Sequence, residues 1–337
     1  MNAVLKALGR VGLEPFIVIL LASIFLAWLD PEIGMKREPF CLGDVANLGM
    51  AFIFFFYGLR IDKRELVAGL VNIKLHALVH FSTFVLFPII VLLAMYAGGI
   101  SSDNPHYYLW MGVFFLAALP STVSSSVVMV SLAGGNIPVA IFNASVSSLL
   151  GVFITPLWMG MYLDNIEGSA GMGDIVFKLV LQVIVPIVAG LLLNDRFNSF
   201  AVAHKKALRN FDQSVIILIV YTSFCDSFHD GMFDGFPLLN LIWLFAGLLA
   251  LFFLVFGIIL AICRAIGLNR PDTIAVLFCG SKKSLVHGTI MSRVIFGNST
   301  VLGVILLPTM IYHALQLVIV SIIAQQLGKS LRAETAK

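Results

Sequence analysis

Two adjacent lysines lie in the middle of a long apolar stretch of the chain, within Cys279-Gly280-Ser281-Lys282-Lys283-Ser284. If this stretch crosses a membrane, each charge costs about 2.5–3.5 kcal/mol on insertion scales, so such groups usually face a cavity or a partner. The pair therefore indicates a functional site, with an organic anion as the expected ligand. The alternative is a structural ion pair with an aspartate at the end of an apolar stretch, for which the candidates are Asp44, Asp212, Asp226 and Asp272.

Hydroxyl side chains interrupt an earlier apolar stretch, where Ser121–Ser126 follow Pro120. In transporters, interruptions of this kind mark discontinuous helices whose freed amides and carbonyls face a cavity. The alternative is helix packing, since small residues let helices approach and serine hydroxyls can bond to their own helix. The residues predicted to bind substrate or ion are Ser124, Ser125, Ser126, Asn143, Ser147, Ser281, Lys282, Lys283, Ser284 and His287.

The other histidines and the cysteines favour neither a metal site nor catalysis. His76 and His80 are one helical turn apart, but no carboxylate or third ligand lies beside them, so packing or an internal hydrogen bond is favoured over a metal. His313 and Gln316 are candidates only for lining a cavity. The four cysteines lack metal-type or disulfide-type spacing, and no HExxH or GxSG-type motif is present. The sequence predicts neither an enzyme nor a bound cofactor.

The composition shows that these residues lie in a membrane protein. Of 337 residues, 60% are hydrophobic and 12% charged, with a mean hydropathy of +1.01, whereas soluble chains are roughly 25% charged. Long apolar runs without in/out alternation predict an all-α protein and not a barrel. A net charge of +3 gives no reason to expect nucleic-acid binding. The predicted spans are 15–29, 43–60, 72–97, 107–134, 137–162, 173–193, 211–228, 238–263, 271–295 and 301–327.

The distribution of basic residues predicts the orientation of these spans. With the N-terminus inside the cell, 15 of the 21 Lys and Arg residues fall on the inner side and four on the outer side. By the positive-inside rule, both termini are cytoplasmic. The expected location is a bacterial inner membrane. The first span resembles a signal peptide, but no small-x-small cleavage site follows it before Asp30, so a permanent span is predicted.

A short repeated pattern suggests two related halves. Leu150-Gly151-Val152 is followed by Pro156, and Leu302-Gly303-Val304 is followed by Pro308 at the same spacing. Five spans per half would place the halves in opposite orientations, as in many secondary transporters. We therefore expect a single membrane domain over 1–337, with repeats at about 11–165 and 170–330; a chance match is the alternative.

Several motifs resemble the bile acid:sodium symporter family over essentially the whole chain. They are Phe55-Phe56-Tyr57-Gly58-Leu59-Arg60, Pro120 with its serine run, Gly135-Asn136, Thr155-Pro156 and Gly280–Ser284. Tyr312-His313-Ala314-Leu315-Gln316 and the Ser-Lys-Lys-Ser-Leu stretch are similar to the sodium/bile acid cotransporter 7 branch and its bacterial relatives. The resemblance implies ten helices in two inverted five-helix repeats, divided into a panel and a core domain, with discontinuous fourth and ninth helices that cross where they are unwound.

The sequence departs from the family where the resemblance implies sodium ligands. Oxygen-bearing side chains are replaced by Val127, Ala140, Ala144 and Phe278, and the family's Gln-Asn pair is replaced by Lys282-Lys283. Sodium coupling through the usual sites is therefore not expected, although the resemblance allows it. The two lysines would supply the positive charge that sodium supplies elsewhere, and proton exchange at one of them could replace sodium coupling.

Two functions follow from this pattern. The first is secondary active transport of an organic anion, bile-acid-like, steroid-like or another carboxylate or sulfate, by alternating access. The second is a non-transporting membrane regulator that keeps the symporter fold. The two costly lysines favour transport. The expected partners are this small anion and the lipid bilayer, without nucleic acid.

Overall fold

The computed structural model describes residues 15–35, 41–60, 72–161, 173, 177–178, 180–234, 237–297 and 299–335, and the regular structure of these residues is helical with no strand among them. The helices of the first half are α1 Pro15–Leu29, α2 Pro31–Met35, α3 Leu42–Arg60, α4 Ile73–Phe81, α5 Phe87–Ala97, α6 Tyr107–Ala118, α7 Ser124–Leu132 and α8 Ile137–Met159. Those of the second half are α9 Val185–Ala203, α10 Lys205–His229, α11 Leu238–Ala265, α12 Arg270–Ser281, α13 Leu285–Phe296 and α14 Leu302–Thr335. Among the basic residues counted for the orientation, those that lie outside the described residues are Lys6, Arg10, Lys36, Arg37, Lys63, Arg64 and Lys337.

In the part of the chain that the structure describes, seven helical segments are long and apolar enough to cross a membrane. They are Leu42–Arg60, Ile73–Ala97, Ile137–Met159, Val180–Ala203, Lys205–His229, Leu239–Ala265 and Leu302–Leu331. The shorter apolar helices α1 and α6 coincide with the predicted first span and the first part of the predicted fourth span. The all-helical membrane class is confirmed, whereas the ten-span inverted repeat stays a prediction.

One helix runs well past its predicted end. The sixth span was predicted to end at residue 193, but α9 continues to Ala203. Its polar extension is anchored, because the side-chain amides of Asn194 and Asn198 donate to the Leu59 carbonyl oxygen at 2.8 and 3.2 Å. That carbonyl lies in the last turn of α3, where helices leave such acceptors unsatisfied. Apolar periodicity cannot show an extension held by polar side chains.

Two helical spans are broken in the middle. The first break separates α6 from α7, and the second separates α12 from α13. At the first, Leu119 has extended backbone angles, φ −69° and ψ 152°. A proline disfavours the α conformation of the residue before it, so Pro120 ends α6. At the second, Lys282 and Ser284 are extended although no proline is near.

A proline also creates the π-helical turn Ser82–Leu86, which lies between α4 and α5. In this turn the Phe87 amide donates to the Ser82 carbonyl, five residues back. The Thr83 carbonyl would next accept from residue 88, but Pro88 has no N–H to donate. The turn therefore leaves the Thr83 carbonyl without a partner within its own helix.

The helices form two packing groups. We name α1, α2, α3, α9 and α10, which pack on one another, the panel group, and α4–α8 with α11–α14 the crossing group. Within the panel group α3 and α9 touch backbone to backbone, because a Cβ added to Gly58 would meet the Ile187 carbonyl, and one added to Gly190 would meet the Phe55 carbonyl. Helix α10 of the panel group packs against α13 and α14 of the crossing group.

Candidate functional site

The two helix breaks lie against each other. The Ser284 amide donates to the Pro120 carbonyl at 2.9 Å, which joins the start of α13 to the end of α6. The Ser121 amide donates to the Ser147 hydroxyl of α8 at 2.9 Å. The predicted site residue Ser147 therefore supports the first break. We call this region the crossing, and it spans residues 119–123 and 282–284.

Lys283 is held by main-chain carbonyls. Its ammonium group donates to the carbonyl oxygens of Thr83, Ala117 and Leu119 at 2.7, 2.6 and 2.9 Å. It also lies 4.3 Å from the centre of the Phe87 ring, and only 1% of the residue is exposed. An ammonium has three N–H donors, and all three have an acceptor here.

The second break is stabilised by side chains of α14. Gln316 bonds both main-chain groups of Lys283, accepting from its amide at 2.8 Å and donating to its carbonyl at 2.7 Å. The Tyr312 hydroxyl donates to the Ser281 carbonyl at 2.7 Å. The hydroxyl of Ser281, a predicted site residue, bonds back to the Leu277 carbonyl of its own helix. These contacts replace the hydrogen bonds that an unbroken helix would make.

Lys282 points to a different part of the crossing. Its ammonium donates to the Ser125 hydroxyl at 2.6 Å. Ser125 donates to the Thr122 hydroxyl at 3.0 Å, and Thr122 lies 2.7 Å from the Ser126 hydroxyl. Lys282 is buried to 0% exposure, so its charge lies inside the protein among hydroxyl groups. The predicted residues Ser125, Ser126 and Lys282 thus form one cluster, whereas the side chain of Ser124 lies outside the described residues.

Ser284 and His287 join the crossing to the panel group. Ser284 caps α13, with its hydroxyl accepting from the His287 amide and lying 3.0 Å from His287 Nδ1. The His287 ring contacts the rings of Phe54 and Tyr57 edge-on, with centroids 5.9 and 6.4 Å apart. Both aromatic rings belong to α3. His287 is therefore at the boundary between the two groups of helices.

Asn143 makes its contacts away from the lysines. Its side-chain oxygen lies 3.1 Å from His76 Nδ1, and its amide donates to the Val139 carbonyl at 2.9 Å. The hydrogen bond between Asn143 and His76 agrees with the expected internal hydrogen bond of this histidine. Among the described residues, no group of three or more His, Cys, Asp or Glu side chains could hold a metal ion.

Asp212 and Asp272, two of the aspartates proposed as ion-pair partners of the lysines, bond elsewhere in the described chain. Asp212 pairs with Arg60 at 2.9 Å, and Asp272 accepts from Asn136 and Asn269 at 2.7 and 2.9 Å. The three hydrogen bonds of the Lys283 ammonium go to carbonyls and not to carboxylates.

Comparisons with known proteins give the family. A model of the SBF-like CPA transporter family matches residues 14–329. The chain is 37% identical to the uncharacterized protein PA2026 of Pseudomonas aeruginosa, over 94% of this chain and 93% of that one. It is 33% identical to YfeH of Escherichia coli, named a putative symporter, over 93% and 92% of the two chains. It is 30% identical to sodium/bile acid cotransporter 7 of Rattus norvegicus, over 95% and 94%.

The chain belongs to the SBF-like CPA transporter family. The resemblance stated from the motifs is thereby confirmed, and so is the prediction of a transporter and not an enzyme. Together with its apolar helices, membership in the SBF-like CPA transporter family makes the chain a multi-pass membrane transporter of a small solute.

The positions at which the resemblance implies sodium ligands are apolar and packed. Ala140, Ala144 and Phe278 are each 0% exposed, and Val127 is half-buried. The Phe278 ring lies 6.5 Å from the Phe256 ring, centre to centre, and so fills space against α11. These four side chains offer no oxygen to a cation.

Arg293, one of the four basic residues counted on the outer side, is a buried cation. It lies within α13, is 8% exposed, and its Nη1 atom is 3.9 Å from an Asp226 carboxylate oxygen of α10. The neighbouring Ser227 hydroxyl donates to the Thr300 carbonyl and accepts from the Gly303 amide at 3.0 Å. These contacts tie the panel group to the crossing group at one end of the bundle.

Sequence reasoning missed part of the site. Gln316 was considered only as a cavity-lining residue, and Tyr312 only as part of a family motif, although both hold the second break. Thr122 lay within the serine run but was not selected. The available signal for the freed Thr83 carbonyl was Pro88, which lies inside a continuous apolar stretch of the sequence and has no N–H to donate.

Proposed function

We propose that the chain is a secondary active transporter of an organic anion that works by alternating access and is not coupled to sodium through the family's usual sites. The substrate class is a bile-acid-like or steroid-like anion, or another carboxylate or sulfate. The single observation that carries this proposal is the position of the Lys282 ammonium, buried at the crossing beside the hydroxyls of Ser125 and Thr122.

A buried ammonium among hydroxyls favours an anionic ligand. Ammonium and hydroxyl groups are the donors that carboxylates and sulfates accept from, and charge-assisted bonds of this kind are roughly twice as strong as neutral ones. The Lys282 ammonium and the Ser125 and Thr122 hydroxyls lie at the break of both discontinuous helices. In other transporters such breaks are where substrate is held, near the middle of the membrane.

The charge balance supports a cycle without sodium at the usual sites. Where sodium would need oxygen ligands, the described residues present Ala140, Ala144 and Phe278. The two lysines already supply positive charge at the crossing, so an anion needs no accompanying cation to be neutralised. Proton exchange at Lys282 is the coupling that we propose in place of sodium, because its ammonium donates to the Ser125 hydroxyl, whereas the Lys283 ammonium is held by three carbonyls.

Alternating access is supported by the boundary between the two helix groups. On the crossing-group side it contains His287 and Arg293, and on the panel side Phe54, Tyr57 and Asp226. Together with the Ser227 hydrogen bonds to Thr300 and Gly303, these are edge-on ring contacts and one long ion pair, each of which is weak enough to break and reform during a transport cycle. We propose that the panel and crossing groups move relative to each other along this boundary.

We place the transporter in a bacterial inner membrane with both termini in the cytoplasm, as the distribution of basic residues indicates. Labelling with a membrane-impermeant maleimide tests this in whole cells. Lys205→Cys should react only after the cells are opened, and Ser102→Cys should react in intact cells, since both residues are exposed. The unsubstituted protein controls for the native cysteines, and labelling of Lys205→Cys in intact cells would overturn the orientation.

The transport proposal is tested by a ligand search on purified protein. Thermal shifts are measured with bile salts, sulfated steroids and small carboxylates, each with sodium and with choline as the cation. A stabilising anion is then tested for uptake into proteoliposomes by wild type, Lys282→Gln and Lys206→Gln, the last being an exposed lysine as control. We expect uptake in choline, lost in Lys282→Gln and kept in Lys206→Gln. If no anion stabilises the protein or is taken up, the regulator function is favoured instead.

A further inference from the structure

We propose that the carbonyl oxygens of Thr83, Ala117 and Leu119 form a binding site for a monovalent cation, and that the Lys283 ammonium is its built-in occupant. We call these three oxygens the carbonyl cradle. The proposal concerns a site distinct from the Lys282 cluster, and it stands whether or not the chain transports an organic anion.

Each oxygen of the carbonyl cradle is one that helix geometry leaves unsatisfied. Ala117 and Leu119 lie at the end of α6, where the last carbonyls have no amide partner within the helix. Thr83 lies in the π-helical turn, and its partner there would be Pro88, which has no N–H. Three free acceptors from two elements thus converge on one point.

The surroundings of the carbonyl cradle favour positive charge. The end of α6 carries the negative end of a helix dipole, which attracts cations. The face of the Phe87 ring, 4.3 Å from the Lys283 nitrogen, adds a cation–π contact. Carbonyl oxygens and half-helix C-terminal ends are the groups that bind coupling ions in transporters with broken helices. The carbonyl cradle therefore has the chemistry of a cation site and not only that of a hydrogen-bond acceptor.

The distances indicate which cations the carbonyl cradle fits. The Lys283 nitrogen lies 2.6–2.9 Å from the three oxygens. Carbonyl oxygens can replace the hydration shell of potassium, and the ammonium ion is close to potassium in size. With the lysine side chain shortened, we expect the site to accept ammonium or a small primary alkylammonium, with potassium weaker because it makes no hydrogen bonds.

The tethered cation has a consequence for the crossing. A covalently attached ammonium cannot leave with a transported solute, so this charge stays in place through any cycle. Lys283 therefore holds the π-helical turn, the end of α6 and the second break together as a fixed unit. Lys282 is left as the residue of the pair whose charge can respond to a ligand.

The test replaces the tethered cation with a free one. Full-length Lys283→Ala is extracted and purified in parallel in propylammonium, ammonium, potassium and choline chloride at equal ionic strength. We expect folded, monodisperse protein in propylammonium and a melting temperature about 10 °C lower in choline. The recovery in propylammonium should saturate with concentration, because it depends on binding at one site.

Two further variants keep the result interpretable. The ammonium that Lys282→Ala removes is bonded to the Ser125 hydroxyl. This variant should therefore gain no stability from propylammonium beyond the wild-type response. Lys283→Met fills the space without charge and should stay destabilised in every salt. The proposal is overturned if Lys283→Ala is equally stable in choline and propylammonium, if it is recovered folded in neither, or if Lys283→Met melts like the wild type.

Discussion

The two adjacent lysines should respond very differently to the same substitution. We expect Lys282→Gln to abolish anion binding while leaving the fold intact, and Lys283→Gln to destabilise the fold. The difference follows from their partners, since the Lys282 ammonium donates to the Ser125 hydroxyl whereas the Lys283 ammonium donates to three main-chain carbonyls. Glutamine keeps hydrogen bonding but removes the charge, so the pair of variants isolates the contribution of each ammonium.

The expected magnitudes come from the acceptors that each variant leaves without a donor. A glutamine amide at position 282 can still donate to Ser125, so the stability cost is about 1 kcal/mol, or roughly 2–4 °C in melting temperature. At position 283 an amide has only two N–H groups for three carbonyls, so one carbonyl is left without a donor and the other two lose charge-assisted hydrogen bonds. That cost is about 3–5 kcal/mol, or on the order of 10 °C.

Lys282→Gln should have a small effect on stability but a large effect on anion affinity. Removing one member of a buried charge pair costs about 2–5 kcal/mol, which is roughly 30-fold to more than 1,000-fold in affinity. The assay is thermal melting of purified wild type and both variants, followed by titration with an anion that stabilises the wild type. Equal melting temperatures for the two variants, or wild-type affinity in Lys282→Gln, would refute the division of roles.

Three other outcomes are expected. Stabilisation by an anion should be the same in sodium and in choline, and an affinity that rises steeply with sodium would reveal a sodium site elsewhere in the chain. Asp226→Asn should speed maleimide labelling of Cys41, which lies near Arg293, about fivefold in purified protein, because a partly exposed ion pair with Arg293 contributes about 1 kcal/mol. Unchanged labelling argues against movement along the boundary between the panel and crossing groups, and a Cys41→Ser background is the control. Gly58→Val should prevent folding because a side chain there meets the backbone of α9, whereas Gly247→Val, with open space around it, should fold and melt like the wild type.

Helix positions were predictable because long apolar runs with few charges are themselves the signal. The predicted first span, 15–29, coincides with α1, and the predicted break at Gly280–Ser284 contains the observed one at Lys282. The first break was predicted at Ser121–Ser126 but begins at Leu119. The reason is Pro120, which restrains the residue before it and not those after it.

The directions of the two lysines were not predictable from the sequence. Both lysines are buried and adjacent in the chain, so composition and spacing cannot distinguish the directions of their side chains. What separates them is the position of carbonyls on α6 and on the π-helical turn, which are 164 to 200 residues away in the chain. Likewise, Gln316 gave no sign that its amide bonds the Lys283 backbone, since that contact exists only after α14 packs beside the break.

The two breaks at the crossing are maintained by different means, and this bears on which of them can change during transport. The first is favoured by covalent structure, since Pro120 has no N–H to donate and disfavours the α conformation of Leu119, although Pro156 and Pro308 lie inside continuous helices elsewhere in the chain. The second has no proline and depends on hydrogen bonds from Gln316 and Tyr312, which can be exchanged for others. Because Lys282 lies within the second break and Lys283 anchors it to α6, a ligand at Lys282 acts on the adjustable break while the fixed one serves as its support.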